Sequence, residues 1–163
     1  MEKVFVTVGT TKFDQLINKL LENETIKLLE LLGCRKLVIQ KGFSPGEIFS
    51  SSIKSTGIVV EIFDYAPSII NHIKEADFVI GHSGAGTVLD VLRCGKPLLV
   101  VINDSLMDNH QTELADKLSS QNYLKSCTVS DLLTALQSFN VNSINKFPSP
   151  DFDKFPTFLD SLF

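Results

Sequence analysis

The sequence predicts an α/β domain: an open parallel sheet with helices on both faces. Three observations predict it. Apolar runs of strand length, among them Val4-Phe5-Val6 and Leu98-Leu99-Val100-Val101-Ile102, alternate little, as expected of strands buried on both sides. Segments with apolar residues at helical spacing separate these runs. Two connections, Gly9-Thr10-Thr11 and Gly81-His82-Ser83-Gly84-Ala85-Gly86-Thr87, are small-residue turns that lead from a strand into a helix. Both fall at carboxyl ends of strands, where open sheets of this class place their ligand crevice.

The elements follow in order. Lys3 to Val8 is a strand, and Phe13, Leu16, Ile17, Leu20 and Leu21 recur at helical spacing, which predicts a helix over about 12–22. A second short helix covers Thr25 to Leu32, and Gly33 stops it before the strand Lys36 to Gln40. From Lys41 to Gly57 the pattern dissolves into Gly, Ser and Pro, which reads as a loop. Ile58 to Phe63 restores a strand. Asp64-Tyr65-Ala66-Pro67 then opens a helix with Pro67 in its first turn and Ile69, Ile70 and Ile73 facing inward.

Ala76 to Ile80 reads as a short buried strand feeding the Gly81–Thr87 loop, and Val88 to Cys94 as the helix after it. Gly95-Lys96-Pro97 closes that helix, Leu98 to Ile102 is a central strand, and His110 to Leu118 is helical. Tyr123 to Cys127 fits an edge strand. Thr128-Val129-Ser130-Asp131 resembles a capping box that starts a helix from Leu132 to Phe139. Residues 1–140 thus form the domain, and 141–163 a tail rich in Phe and Pro that ends in a brief helix from Pro156 to Phe163. Phenylalanine at that density should pack on the domain or on a partner.

Composition narrows the function classes. With 163 residues, 44% hydrophobic and 21% charged, the chain suits one globular domain. No apolar run approaches the roughly 20 residues of a membrane span, and the N-terminus goes straight into a strand pattern, so a cytoplasmic protein is expected. Cys34, Cys94 and Cys127 lack metal-ligand spacing, and their odd number argues against a disulfide framework. A net charge of −4 without a Lys/Arg cluster weighs against nucleic acid.

The loop after Ile80 suits an anion, because the first N–H groups of a helix lack internal partners and lie at the positive end of its dipole. On local pattern alone it fits a tight turn equally well. The Gly9 turn at the same edge strengthens the phosphate reading. The first turn has only Gly9 where a dinucleotide fingerprint needs more, and a Walker-type Gly-Lys-Ser/Thr is absent. Asp90 lies one helical turn beyond Gly86 and Thr87, where a carboxylate could accept from ribose hydroxyls or complement the helix dipole.

Taken together, Val6-Thr7-Val8-Gly9-Thr10-Thr11-x-Phe13-Asp14, Ala76-Asp77 with Gly81–Thr87, and Gly95-Lys96-Pro97-Leu98 with Asn109-His110-Gln111-x-Glu113-Leu114-Ala115 carry a family resemblance. The chain, up to about residue 140, resembles the cytosolic catalytic subunits of the dolichol-linked UDP-N-acetylglucosamine transferase. These are similar to the Rossmann-like, donor-binding half of a GT-B glycosyltransferase, such as the bacterial enzyme that completes lipid II. The resemblance implies that Ser83, Gly84, Ala85, Gly86 and Thr87 hold the UDP diphosphate, Asp90 the ribose, and His110 with Gln111 the N-acetylglucosamine hydroxyls. It implies a uracil pocket along Phe63 to Tyr65, with Gly9, Thr10 and Thr11 facing the phosphates from the other side.

The donor is then UDP-N-acetylglucosamine and the acceptor N-acetylglucosaminyl-diphosphodolichol, used at the cytosolic face of the endoplasmic reticulum. A helix N-terminus aimed at the departing diphosphate stabilises charge that grows in the transition state, so no metal or other cofactor is expected. Asp151-Phe152-Asp153 has the pattern of metal-dependent glycosyltransferases but sits in the tail. His82 and His110 fall in loops at the ligand edge and are the acid/base candidates; His72 reads as a surface residue. The missing acceptor domain implies a membrane-anchored acceptor-binding subunit as partner, with the tail as a candidate docking element. A non-catalytic nucleotide-sugar-binding or regulatory module is the alternative. A purely structural subunit is a third, against which Asp90, His110 and Gln111 speak.

Overall fold

The computed structural model describes residues 1–44, 57–103 and 109–148, with the backbone alone for 109–112. Along the chain run β1 (Lys3–Thr7), α1 (Asp14–Leu21), α2 (Asn23–Leu31), β2 (Lys36–Gln40), β3 (Val59–Phe63), α3 (Ile70–Glu75), β4 (Phe78–His82), α4 (Ala85–Arg93), β5 (Leu98–Ile102), α5 (Asn109–Ser120), β6 (Lys125–Thr128) and α6 (Leu132–Ser138). The strands form one sheet in the order β3-β2-β1-β4-β5-β6, parallel throughout. The chain builds outward from β1 to β3, returns to β4 on the other side of β1, and builds outward again. That reversal puts the topological switch point between β1 and β4, and a crevice beyond their carboxyl ends.

Side chains alternate between the two faces of each strand, so each face has its own core. Val4, Val6, Leu37, Ile39, Phe78 and Ile80 join Leu16, Ile17, Leu20, Ile26 and Leu29 of α1 and α2, with Leu132 and Leu136 of α6. Phe5, Val38, Val79, Leu98 and Val100 join Ile73, Val88, Val91 and Leu118 of α3, α4 and α5. β4, at the centre, is buried along its whole length, whereas the edge strands β3 and β6 are only partly covered. This two-faced burial explains why the central strands read as continuous apolar runs.

Several boundaries differ from the sequence reading. The helix expected around Pro67 starts only at Ile70. Beyond Phe63 the chain stays bonded to the continuation of β2: Lys41 N–H donates to Phe63 O and Gly42 N–H to Asp64 O. Ala66, preceding Pro67, also disfavours a helical conformation. The strand expected over Ala76–Ile80 lies two residues later, because Ala76 caps α3 and the Asp77 carboxylate accepts the N–H groups of Glu2 and Lys3 at 2.8 and 2.9 Å. At the start of α6, Thr128 Oγ1 accepts from Asp131 N–H at 3.3 Å and donates to the Asp131 carboxylate at 2.8 Å, a closed turn related to a capping box.

Residues 141–148 run back over the domain. Asn145 N–H donates to Asn122 O at 2.8 Å, and Phe147 meets Tyr123 edge to face at 5.2 Å. The helix expected over 156–163 and the loop over 45–56 lie outside the described residues. Among the described residues no helix is long and apolar enough to cross a membrane.

Candidate functional site

The turn after β1 is built jointly with the end of β2. Gly9 and Gly42 have φ of +61° and +57°, a region that strains any side chain. A Cβ on Gly42 would also lie 2.3 Å from Thr11 O and 2.9 Å from Gly9 O. Glycine at 42 therefore lets two backbones touch. Phe43 N–H donates to Thr11 O, and Phe13 N–H to Ser44 Oγ, at 3.2 and 3.1 Å. Beneath the turn, Gly9 N–H donates to Thr7 Oγ1 at 3.1 Å, and the Thr7 hydroxyl donates to Gln40 Oε1 at 2.5 Å. Thr7 and Gln40 are both buried and stand opposite one another in the β1–β2 register.

The turn after β4 meets the first one through a single ring. His82 is the last residue of β4, not a loop residue as the sequence reading had it, and it is 8% exposed. A Cβ on Gly9 would lie 2.9 Å from its Cε1, and a Cβ on Gly84 2.3 Å from its Nε2. Two glycines thus leave room for the imidazole, which side chains at 9 and 84 would both run into. Burial pushes the His82 pKa below the ordinary histidine value, an effect the Thr7 backbone opposes. Nδ1 is enclosed without a hydrogen-bond partner. Burial therefore favours the neutral form of the ring.

Beyond His82 the chain enters α4. Its first internal bond runs from Val88 N–H to Gly84 O, so the N–H groups of Ala85, Gly86 and Thr87 precede the ladder. No side chain caps this N-terminus, and no acidic residue lies in its first turn. Ala85 and Gly86 are exposed, and a Cβ at Gly86 would meet nothing within 4 Å. Ser83 is 3% exposed at the base of the turn. An uncapped, accessible N-terminus at a switch point is a site where an anion gains hydrogen bonds and dipole attraction together.

A cavity of about 240 Å³ opens beside it, lined by Gly9, Thr10, Gln40, Asp90 and the segment from Tyr65 to Ile70. A second, of about 350 Å³, shares Gly9, Thr10 and Tyr65 and extends over Lys41 to Ser44 and Asp64. Of the residues singled out in the sequence, Gly9, Thr10, Tyr65 and Asp90 therefore converge, whereas Ser83 to Thr87 line neither cavity. Thr11 lines neither cavity, and its hydroxyl donates to Val8 O. Phe63 lines neither, its ring stacking on His72 at 4.9 Å. His72 is half-buried between Phe63 and Phe5 rather than a surface residue. His110 and Gln111 lie in the first turn of α5, not in a loop, and their side chains are outside the described residues.

Gln40 and the segment through Ser68 were not singled out in the sequence reading. The only signal for Gln40 was a polar residue closing the apolar strand Lys36-Leu37-Val38-Ile39-Gln40. Among the described residues no group of three His, Cys, Asp or Glu side chains could hold a metal ion, and Asp151-Phe152-Asp153 lies outside them.

The chain matches the glycosyltransferase family 28 C-terminal domain over residues 3–154. It belongs to this family. The family 28 match extends beyond residue 140, into the segment read as a tail. The UDP-N-acetylglucosamine transferase subunit ALG13 of Mus musculus is 41% identical over 128 residues, covering 78% of this chain. This chain spans only 11% of that relative's length. The protein of the same name from Saccharomyces cerevisiae is 31% identical over 186 residues, covering 93% of this chain and 92% of its own length. Among solved structures, the solution structure of ALG13 superposes with a TM-score of 0.70 at 28% identity, covering 97% of this chain and 94% of its own. MurG of Acinetobacter baumannii gives 0.67 at 20% identity, covering 87% of this chain and 42% of MurG. The family 28 domain here is thus Rossmann-like and corresponds in fold to one half of a two-domain glycosyltransferase.

Proposed function

We propose that this family 28 domain is the donor-binding, catalytic subunit of a heteromeric transferase. It moves N-acetylglucosamine from UDP-N-acetylglucosamine to N-acetylglucosaminyl-diphosphodolichol at the cytosolic face of the endoplasmic reticulum. The observation that carries the reading is that the Gly9 turn and Asp90 line one crevice at the sheet edge where the uncapped N-terminus of α4 also begins, at the β1–β4 switch point. The names of the relatives support the choice of donor.

In this reading Ser83 to Thr87 hold the diphosphate, and Asp90 accepts from the ribose hydroxyls. Tyr65 borders the uracil. His110 and Gln111 contact the sugar. An acceptor hydroxyl gives its proton to a general base and attacks the anomeric carbon, the bond from that carbon to the β-phosphate oxygen breaks, and its electron pair leaves on UDP with inversion. The α4 N–H groups stabilise the charge that accumulates there, without requiring a metal. His82 packs against both turns, and a membrane-anchored partner supplies the acceptor site.

The test is transfer to the lipid acceptor with and without that partner. Activity only in the pair supports the reading. UDP binding without transfer under any pairing would favour a nucleotide-sugar-binding or regulatory module. Asp90→Ala is expected to weaken UDP binding about tenfold or more with little change in Tm. Unchanged affinity would remove the ribose assignment.

A further inference from the structure

The polar chain beneath the Gly9 turn runs in one direction. Gly9 N–H can only donate, and it donates to Thr7 Oγ1. At 2.5 Å the contact between the Thr7 hydroxyl and Gln40 suits an O–H donating to the amide oxygen, which places the carbonyl end of the amide on that side. The Gln40 nitrogen must face the other way. Gln40 is 2% exposed and lines the cavity that contains Asp90. Among the described residues only Asp14 Oδ1 and His82 Nδ1 are fully enclosed without a partner. Gln40 lines the cavity and Thr7 holds its amide oxygen, so the nitrogen is the end of the amide left to face the cavity. A buried amide that presents only donors to a cavity also lined by a carboxylate is a complementary pair for a ligand that both donates and accepts.

We propose that Gln40 is a nucleotide-contacting residue, its amide N–H donating to an oxygen acceptor of the bound nucleotide, with Thr7 as the residue that orients it. This rests on the reading of the crevice as a UDP-sugar site. Asp90 takes the hydroxyl protons and Gln40 offers protons in return, so the two read opposite polarities of the same ligand. The acceptor is an oxygen of the nucleoside or of a phosphate. Gln40 belongs to β2, so its position is set by the sheet and not by a loop. Such a donor is preorganised, and binding it costs little ordering.

The experiment measures UDP and UMP binding by calorimetry on the 163-residue chain, with Tm recorded for each variant. Gln40→Glu keeps an oxygen for Thr7 and removes the donor, and is expected to weaken UDP about 30-fold or more, with a lower Tm at neutral pH from the buried carboxylate. Gln40→Met removes the amide without adding charge and should weaken UDP by about 3- to 10-fold. A purely structural Gln40 would leave UDP affinity unchanged in both variants whatever their Tm, which overturns the proposal. Equal losses for UMP and UDP place the acceptor on the nucleoside or α-phosphate, and a loss confined to UDP places it on the β-phosphate. If the unmodified chain binds UDP and Asp90→Ala weakens it while both Gln40 variants bind normally, Gln40 alone fails. If the unmodified chain does not bind UDP, the site reading itself fails.

Discussion

Glycines 84 and 86 stand two residues apart at the start of α4, and the same substitution should act on them in opposite directions. At Gly84 an added Cβ lies 2.3 Å from His82 Nε2, 2.8 Å from Cε1 and 3.2 Å from Cδ2. Relief requires the ring to retreat by roughly 1 Å, given ordinary contacts near 3.5 Å. It cannot retreat freely, because the Gly9 turn also lies against it and the side chain is 8% exposed. Overpacking of this kind costs about 1–3 kcal/mol, and the φ of −69° at Gly84 returns only a few tenths to about 1 kcal/mol through the unfolded chain. Gly84→Ala should therefore lower Tm by about 2–6 °C at this chain length. At Gly86 the Cβ meets nothing within 4 Å, and replacing a helical glycine by alanine stabilises by about 0.5–1 kcal/mol. Gly86→Ala should raise Tm by about 1–4 °C in the free protein. Its methyl group enters the space where the diphosphate is proposed to lie, so stabilisation by added UDP should shrink or vanish. Thermal unfolding followed by circular dichroism, with and without UDP, reads both effects. A Gly84→Ala protein as stable as the unmodified chain would refute the close packing of the ring. Full UDP stabilisation of Gly86→Ala would refute the phosphate placement.

Three further outcomes can be checked by unfolding measurements. His82 has a folded pKa below its unfolded value, so the unfolded state binds more protons in the window between them, and stability should fall as pH drops through about 6.5; His82→Gln should flatten the urea-midpoint profile there. The Asp77 carboxylate is held below its usual range, chiefly by the Lys3 backbone N–H, so its contribution is present above about pH 4 and is lost as pH falls through the lower folded value. Asp77 is exposed, so this contribution should stay below about 1 kcal/mol, and Asp77→Asn should reduce the acid sensitivity between pH 5 and 3 only slightly. Phe147→Ala removes a half-buried ring from Tyr123 and should cost about 1–2 kcal/mol; no loss would mean that residues 141–148 do not pack on the domain in solution.

The sheet was legible because its central strands are buried on both faces, and a run such as Leu98 to Ile102 has few other interpretations. The two small-residue turns were legible for a local reason, since glycine after a strand and before a helical pattern marks a close approach of backbone. What escaped depends on contacts between distant residues. The register of β4 hid behind Asp77, whose carboxylate serves the N-terminal backbone some 75 positions away, so a residue that looked like strand instead braces the start of β1. Helix α3 starts late because β2 and the chain after Phe63 keep bonding, which no window around Pro67 displays. Gln40 stayed hidden because its meaning comes from Thr7, 33 positions earlier, and a glutamine at a strand end carries no signal alone. Likewise His72 owes its setting to Phe5 and Phe63, two rings from different strands. The residues that converge on the crevice were found where chemistry is local, as at Gly9 and Asp90, and missed where it is assembled across strands.

The imidazole packed against both glycines also matters to anyone who would re-engineer this crevice. Loops after parallel strands are usually treated as independent cassettes, to be lengthened or randomised one at a time. Here the two cassettes share a wall, because the ring of His82 fills the space that side chains at 9 and 84 would need. A library that varies the Gly9 turn alone inherits the volume limit set by position 82, and so does one that varies the Gly84 turn. Position 82 must be varied jointly with both turns, a smaller residue there being the natural companion of a larger one at 84. The two loops behave as one designable unit, although 74 residues of chain lie between their glycines.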